Sequence, residues 1–297
     1  MEKLITISSK FVGTSLKSYT KVIDWRDTMN FAAAVNDNNP QYFNDEAEEG
    51  VIAPPMYAIS ITWQILANLP VYLNDSSFPF DIVSTQVHFS EHLQFFKPLK
   101  AGDELTVKGV IAAIEQRSAG THLVVKFEAF NQDGEAVFIE HIGGMMRGIK
   151  CLDGSKGVEK LPPMMCIKMP DELLWKKEVF ISQSLPYIYD ACANVHFPIH
   201  TSVKFAHKVG LPSIILHGTA TQSIVAKELV NCYAKGDATK LKTIQNLFTG
   251  MVFPDTNISI QLIKQKESED RFEIFFKVFN ERQQSVLDNG YAVIEKS

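Results

Sequence analysis

Two histidines in the C-terminal half stand where acid–base chemistry could be built. His200 follows Pro198-Ile199 and precedes Thr201-Ser202, at the start of a short turn. His217-Gly218-Thr219 sits where an apolar helical stretch begins. The first amides of a helix have no carbonyl one turn back and lie at the positive end of its dipole. A thioester carbonyl set against Gly218 and Thr219 is therefore polarised, and an enolate formed from it is stabilised as in an oxyanion hole. An imidazole on the facing loop, titrating near neutrality, moves a proton to or from the adjacent carbon or a water. That pairing of electrophile and base needs no metal.

Plainer roles are weighed beside these. His217 is expected to hydrogen-bond a neighbouring loop, and His196 to lie at the surface. Asn194, His196 and His217 are the side chains nearest in sequence that could assist His200. His196 and His200 are spaced four apart like a helical metal pair, but Pro198 between them spoils a helix. No metal is expected. Glu228 is the one carboxylate on the helical stretch that starts at Gly218, and it falls near the end of that stretch.

The elements that must position these residues occur twice. FAAAVNDNNPQYFNDEAEEGVIAPPM in the first half can be laid on YDACANVHFPIHTSVKFAHKVGLPSIILHG in the second, with Pro40 on Pro198 and Tyr42 on His200. Gly50 then falls near Gly210, and Pro55-Met56 on His217-Gly218. Downstream, both halves place Phe-Asn before a polar turn and a further strand. Three matches in one order indicate an internal duplication. The first copy lacks the histidine and the glycine, so it is built to hold something apolar rather than to react.

Each copy reads as a helix followed by antiparallel strands, an α+β unit. Asp24 caps a short helix over 25–35, and the Asn-rich step into Pro40 ends it. The stretch 55–69 is apolar on nearly every side, which predicts a helix buried by a sheet; its counterpart spans 219–230. Strands are expected over 81–89, 103–114, 123–130 and 136–147, with Asp133-Gly134 as a hairpin turn and Gly143-Gly144 as a bend or bulge. The two units cover 1–150 and 175–297. Residues 151–174, dense in Gly, Pro and Lys, read as a surface linker. The units are expected to join sheet edge to sheet edge.

The 297 residues carry a net charge of −5, with 45% apolar and 21% charged residues. No basic field suits nucleic acid. The four cysteines form no CxxC pair and read as reduced thiols of a cytoplasmic protein. No stretch approaches the length of a membrane span, and the opening residues do not resemble a secretion signal.

FPIHTSVKFAHKVGLPSIILHGTAT, together with NDNNPQYF and VHFSEHLQFFKPLKAGDEL, resembles the MaoC-like or (R)-specific enoyl-CoA hydratase (hydratase 2) family. The resemblance covers essentially the whole chain. It implies a double hot dog: two fused units, each an antiparallel sheet wrapped around a central helix. It also implies hydration of 2-enoyl thioesters, or dehydration of (R)-3-hydroxyacyl thioesters, carried on coenzyme A or acyl carrier protein, with no other cofactor. The family's histidine falls on His200, its proline on Pro198 and its oxyanion-hole glycine on Gly218. Its asparagine falls on Phe197 and its catalytic aspartate on Val195. The first half keeps Asp37, Asn39 and Pro40 but has Tyr42 in the histidine's place. Two readings stand: a hydratase working through His200 without the signature aspartate, or a non-catalytic acyl-thioester binder or partner subunit. Chains of this kind are expected to remain single or to pair as homodimers.

Overall fold

Twelve strands and six helices occupy residues 6–168 and 173–296, the residues described by the computed structural model. The first half runs β1 (Thr6–Ile7), β2 (Tyr19–Val22), α1 (Trp25–Ala34), α2 (Ala58–Leu66), α3 (Leu69–Tyr72), β3 (Gln86–Phe95), β4 (Glu104–Arg117), β5 (Gly120–Phe130) and β6 (Ala136–Arg147). After β7 (Lys150–Cys151) the second half runs β8 (Trp175–Ile181), α4 (Leu185–Ala193), α5 (Val203–Lys208), α6 (Gly218–Ala234), β9 (Leu241–Phe248), β10 (Thr256–Glu267), β11 (Arg271–Asn280) and β12 (Ser285–Glu295).

Ten of the strands form one sheet, in the order β2-β4-β5-β6-β3-β9-β12-β11-β10-β8. Read from either edge, the first five and the last five have the same topology, as the internal duplication requires. The units meet edge to edge through β3 and β9, antiparallel, with Glu91 opposite Asn246 and His92 opposite Gln245. This pairing satisfies an edge in each unit that would otherwise expose unpaired backbone groups.

α6 packs against β9 and β12 of the sheet, and α1 packs on α4. Ile59, Ile61 and Ile65 of α2 are fully buried, each removal from water contributing roughly 1.5–3 kcal/mol. The longer α6 is buried along most of its length, yet its first two turns carry Thr219, Thr221, Gln222 and Ser223 in that buried setting. A buried polar stretch on an otherwise apolar helix marks where the fold departs from simple packing.

Asp24 caps α1 as expected, accepting from the amides of Arg26 at 2.9 Å and Asp27 at 3.2 Å. The central helix expected over 55–69 is instead a 3-10 turn (Pro55–Tyr57), then α2, then a restart at α3. Pro70 has no amide to continue the ladder and suits the first turn of a new helix. The strand expected over 81–89 is also different: Phe80–Thr85 is a 3-10 turn and β3 begins only at Gln86. The apolar spacing there serves a turn that buries Ile82, not a pleat. The Asp133-Gly134 hairpin is present, with the Gly134 amide donating to the Asn131 carbonyl at 2.9 Å and Gly134 at φ +76°. Opposite Gly143-Gly144, the ladder shifts register between His88 and Ser90 of β3.

The stretch 151–174 is more ordered than a bare linker. β7 pairs in parallel with β1, Lys156 bridges to Ile114, and a 3-10 turn covers Val158–Lys160. Met164 lies over the sheet, its sulfur 3.1 Å from Gln245 Nε2. Residues 169–172 of this stretch lie outside the described residues. Among the described residues, no helix is long and apolar enough to cross a membrane.

Candidate active site

α4 ends at Asn194, whose backbone adopts the left-handed conformation at φ 55°. Asparagine tolerates this conformation better than most residues. The chain therefore reverses and carries residues 195–200 back past the last turns of α4. Pro198, at the first position of a 3-10 turn over Pro198–His200, fixes the loop. Ser202 then caps α5 by accepting from the Phe205 amide at 3.2 Å.

His200 Nδ1 lies 2.8 Å from the carbonyl of Ile215. A carbonyl only accepts, so Nδ1 carries the hydrogen and Nε2 keeps its lone pair. The ring stacks on His217 with centroids 3.6 Å apart and planes 24° apart. Burial, aided by His217, holds the His200 pKa down at about 3. The ring is therefore neutral and presents a base at Nε2.

His217 is the N-cap of α6 and is buried. Its Nε2 lies 2.9 Å from the Val195 carbonyl and 3.4 Å from Asp190 Oδ1. Asp190 also accepts from the Phe197 amide at 3.3 Å and lies 2.8 Å from His196 Nδ1. Burial alone would raise the Asp190 carboxyl; hydrogen bonds from His217 and His196 outweigh it and hold the pKa at about 2. Asp190 was not among the residues singled out in the sequence. It lies ten residues before His200, and only the reversal at Asn194 brings it alongside. The readable signal was a carboxylate late in a helix that ends in Asn.

Because His217 directly precedes Gly218, the stacked His200 is held beside the first amides of α6. The glycine is required sterically: a Cβ there would stand 2.7 Å from Phe248 Cδ1. Thr219 follows, its hydroxyl buried and without a hydrogen-bond partner among the described residues. His200, His217, Gly218 and Thr219 thus come together.

The other singled-out residues are placed differently. Asn194 is a helix end whose carbonyl accepts from Gln64 Nε2 at 2.9 Å, tying the units together. His196 is exposed and reaches the site through its contact with Asp190. Glu228 pairs with Lys177 and, at 3.4 Å, with Lys227. The first half's Asp37, Asn39 and Tyr42 form a separate cluster. Asp37 accepts from the Asn39 amide, Asn39 donates to the Gly236 carbonyl, and burial pushes the Tyr42 phenol up. Lys227, which donates to the carbonyls beside Asp37, lies ten residues along α6 from His217, about 15 Å away. Asp37 therefore serves no part of the His200 site.

Two family models account for most of the chain: "FAS1-like, dehydratase domain region" matches residues 10–140 and "MaoC like domain" matches residues 173–284. A UPF0336 protein of Streptomyces coelicolor is 34% identical over 112 residues, covering 36% of this chain and 72% of that protein. The chain belongs to the MaoC-like dehydratase family.

The chain is also similar to peroxisomal enoyl-CoA hydratase 2 of Arabidopsis thaliana, 26% identical over 238 residues, 77% of this chain and 74% of that protein. A MaoC-like dehydratase from Phytophthora capsici superposes with a TM-score of 0.83 at 21% identity, covering 97% of this chain and 98% of that one. A Mycobacterium tuberculosis protein described as a double hotdog superposes at 0.63 with 9% identity, covering 96% of each chain. The fold is a double hot dog. Val195, on which the resemblance lays the family's aspartate, is buried at 3% exposure.

Proposed function

We propose that the protein hydrates 2-enoyl thioesters, or dehydrates (R)-3-hydroxyacyl thioesters, carried on coenzyme A or acyl carrier protein, with no further cofactor. The observation carrying this reading is the His200 imidazole stacked on His217 beside the first amides of α6, its Nε2 free to take a proton.

In hydration, the thioester oxygen accepts from the Gly218 and Thr219 amides. His200 Nε2 takes a proton from water as the hydroxide oxygen bonds to C3. The C2–C3 π electrons move to form the enolate, whose charge falls on the oxygen held at α6. The proton on Nε2 is then delivered to C2. Dehydration reverses each step. Protonated His200 is unfavourable in a buried site, but Asp190 places a negative charge behind the histidine pair and raises the His200 pKa. Asp190 thus supports His200 by charge, acting through His217. Asp190 is a positioning residue in this reading, since His217 stands between it and His200.

The second reading, an acyl-thioester binder without turnover, draws on Val195 alone. Assigning the protein to the cytoplasm, as four unpaired cysteines suit, and pairing into homodimers remain parts of the proposal. The reading is tested by incubating the protein with crotonyl-CoA in D2O and analysing the product by mass spectrometry. A 3-hydroxybutyryl thioester carrying one deuterium at C2 is expected. Unchanged crotonyl-CoA, with a longer 2-enoyl-CoA equally unchanged, would exclude hydration.

A further inference from the structure

The first unit keeps a counterpart of the His200 site, and backbone hydrogen bonds fix the correspondence. The Ile52 amide donates to the Gln41 carbonyl at 3.2 Å, as the Ile215 amide does to that of Ile199 at 3.3 Å. The Ala53 amide donates to the Leu99 carbonyl at 2.8 Å, as the Leu216 amide does to that of Val252 at 2.8 Å. Tyr42 therefore stands in the place of His200. Pro54-Pro55 stands in the place of His217-Gly218, one residue earlier than the sequence alone aligns them. In the same register Lys97 falls on Gly250 and Lys100 on Phe253.

This copy has lost the reacting groups. Proline has no N–H, so the amide that Gly218 offers a carbonyl is missing at Pro55. Tyr42 is buried, and burial pushes its phenol up, so it supplies no base.

The way in is kept. A groove of about 320 Å³ opens to solvent where the two units meet, at the small end of the size range of ligand sites. Ile52, Ala53, Phe95 and Leu99 line it from the first unit, and Ala238 and Leu241 from the second. Tyr42 packs behind Ala238, so the groove is backed by the residue that replaces His200.

The mouth is cationic. Lys97 and Lys242 line the groove, one from each unit, with side chains 43% and 29% exposed. Glu135 lies 2.5 Å from the first and Glu295 3.2 Å from the second. Asp237 turns its carboxylate onto the Thr239 amide and hydroxyl. Lys100 and Lys240 stand within three residues of the lining lysines, so four ammonium groups face three carboxylates. The fold does not demand this charge, since the second unit has Gly250 and Phe253 at two of the matching positions. A narrow apolar groove with ammonium groups at its mouth suits a slender, flexible arm that ends in phosphate.

We propose that this groove is a second, non-reacting carrier site, which takes the phosphopantetheine arm of coenzyme A or of acyl carrier protein with its phosphate at Lys97 and Lys242. The inference rests on the thioester reading above, which supplies the chemistry of the arm.

The test treats the full chain with trace acetic anhydride and reads acetylation of Lys97 and Lys242 by mass spectrometry, relative to Lys17 and Lys108. The probes are coenzyme A, holo-acyl carrier protein and adenosine 3′,5′-bisphosphate, which has phosphates but no pantetheine arm. At ten times the Kd of a probe that binds, both lysines should react about ten-fold more slowly. Whichever of the first two probes protects identifies the source of the arm. No protection by either at about 1 mM, enough to saturate a micromolar site, would overturn the proposal. Equal protection by the bisphosphate would overturn it too, since the lysines would then only collect phosphate. Enoyl-CoA hydration followed in parallel separates the two readings. Turnover without protection sinks the groove alone, and protection without turnover sinks the hydratase reading alone.

Discussion

The His200 ring lies flat on His217, centroids 3.6 Å apart, and Asp190 Oδ1 stands 3.4 Å from the Nε2 of that second histidine. A carboxylate, a buried imidazole and a base are thus stacked in sequence at the start of α6. Two neutral rings can lie this close; two imidazolium ions could not. One proton is therefore the most the pair can hold, and Asp190 is the charge that makes holding it affordable.

Replacing Asp190 with Asn should test that role. Removing the charge lowers the His200 pKa further and weakens its protonated form. We expect kcat to fall by about 10–100-fold, at or below the lower limit of the roughly 10²–10⁴-fold contributed by a group that itself transfers the proton. KM should stay within a few-fold and the circular dichroism should be unchanged. An unaltered kcat would show that Asp190 only shapes the loop.

Val195→Asp restores the family residue in sequence but not in chemistry. The Val195 side chain is buried, and the backbone carbonyl of the same residue holds His217. A carboxyl placed in the core is costly whether it ionises or stays neutral without partners. The variant should lose on the order of 2 kcal/mol or more of stability by chemical denaturation and gain no activity. A gain in kcat without destabilisation would mean that position 195 can face the site.

Gly218→Ala should lower kcat even though alanine is the better helix former. Its Cβ would press on the Phe248 ring, which must shift and disturb the helix N-terminus. The double variant Gly218→Ala/Phe248→Leu should recover most of the lost rate. Kinetic assay of both variants separates this crowding from a requirement for glycine's backbone freedom, under which no recovery would occur.

Stability should fall steeply in mild acid. Burial holds His88, His92, His122 and His141 at about 4, and holds His200 at about 3. The unfolded chain binds protons near 6.5 where the folded one does not. Their stabilising effect is therefore complete above pH 6.5 and is lost as pH falls toward 4. Glu91 and Glu140 have the opposite sign: raised in the fold, they favour it at low pH and penalise it as pH rises. Glu140→Gln should raise Tm at pH 8, by about 2–4 °C for each kcal/mol relieved, and change it little at pH 4. Scanning calorimetry at the two pH values checks both slopes.

Much of this architecture is legible because its signals are local. The Asp24 cap, the Asp133-Gly134 turn and the span of β6 are each set by neighbouring residues. The duplication predicts the pairing of two equal half-sheets. His200 and Gly218 are visible as a motif. The Asp190–His217 contact is not, because it exists only once the chain has turned back at Asn194. The buried pair Glu91 and Glu140 is brought together only by the pairing of β3 with β6, so no single stretch announces it. The apolar spacing at 81–85 fits a strand as well as the 3-10 turn that forms, and tertiary packing of Ile82 decides between them.

The most direct measurement follows the loss of enoyl absorbance when purified protein meets crotonyl-CoA and a longer 2-enoyl-CoA, with His200→Ala beside the wild type. Hydration by the wild type, reduced by about 10²–10⁴-fold in the variant while acyl-CoA affinity persists, is the expected result. No hydration of either substrate by the wild type, or equal rates in the variant, would contradict the assignment of His200 as the acid–base group.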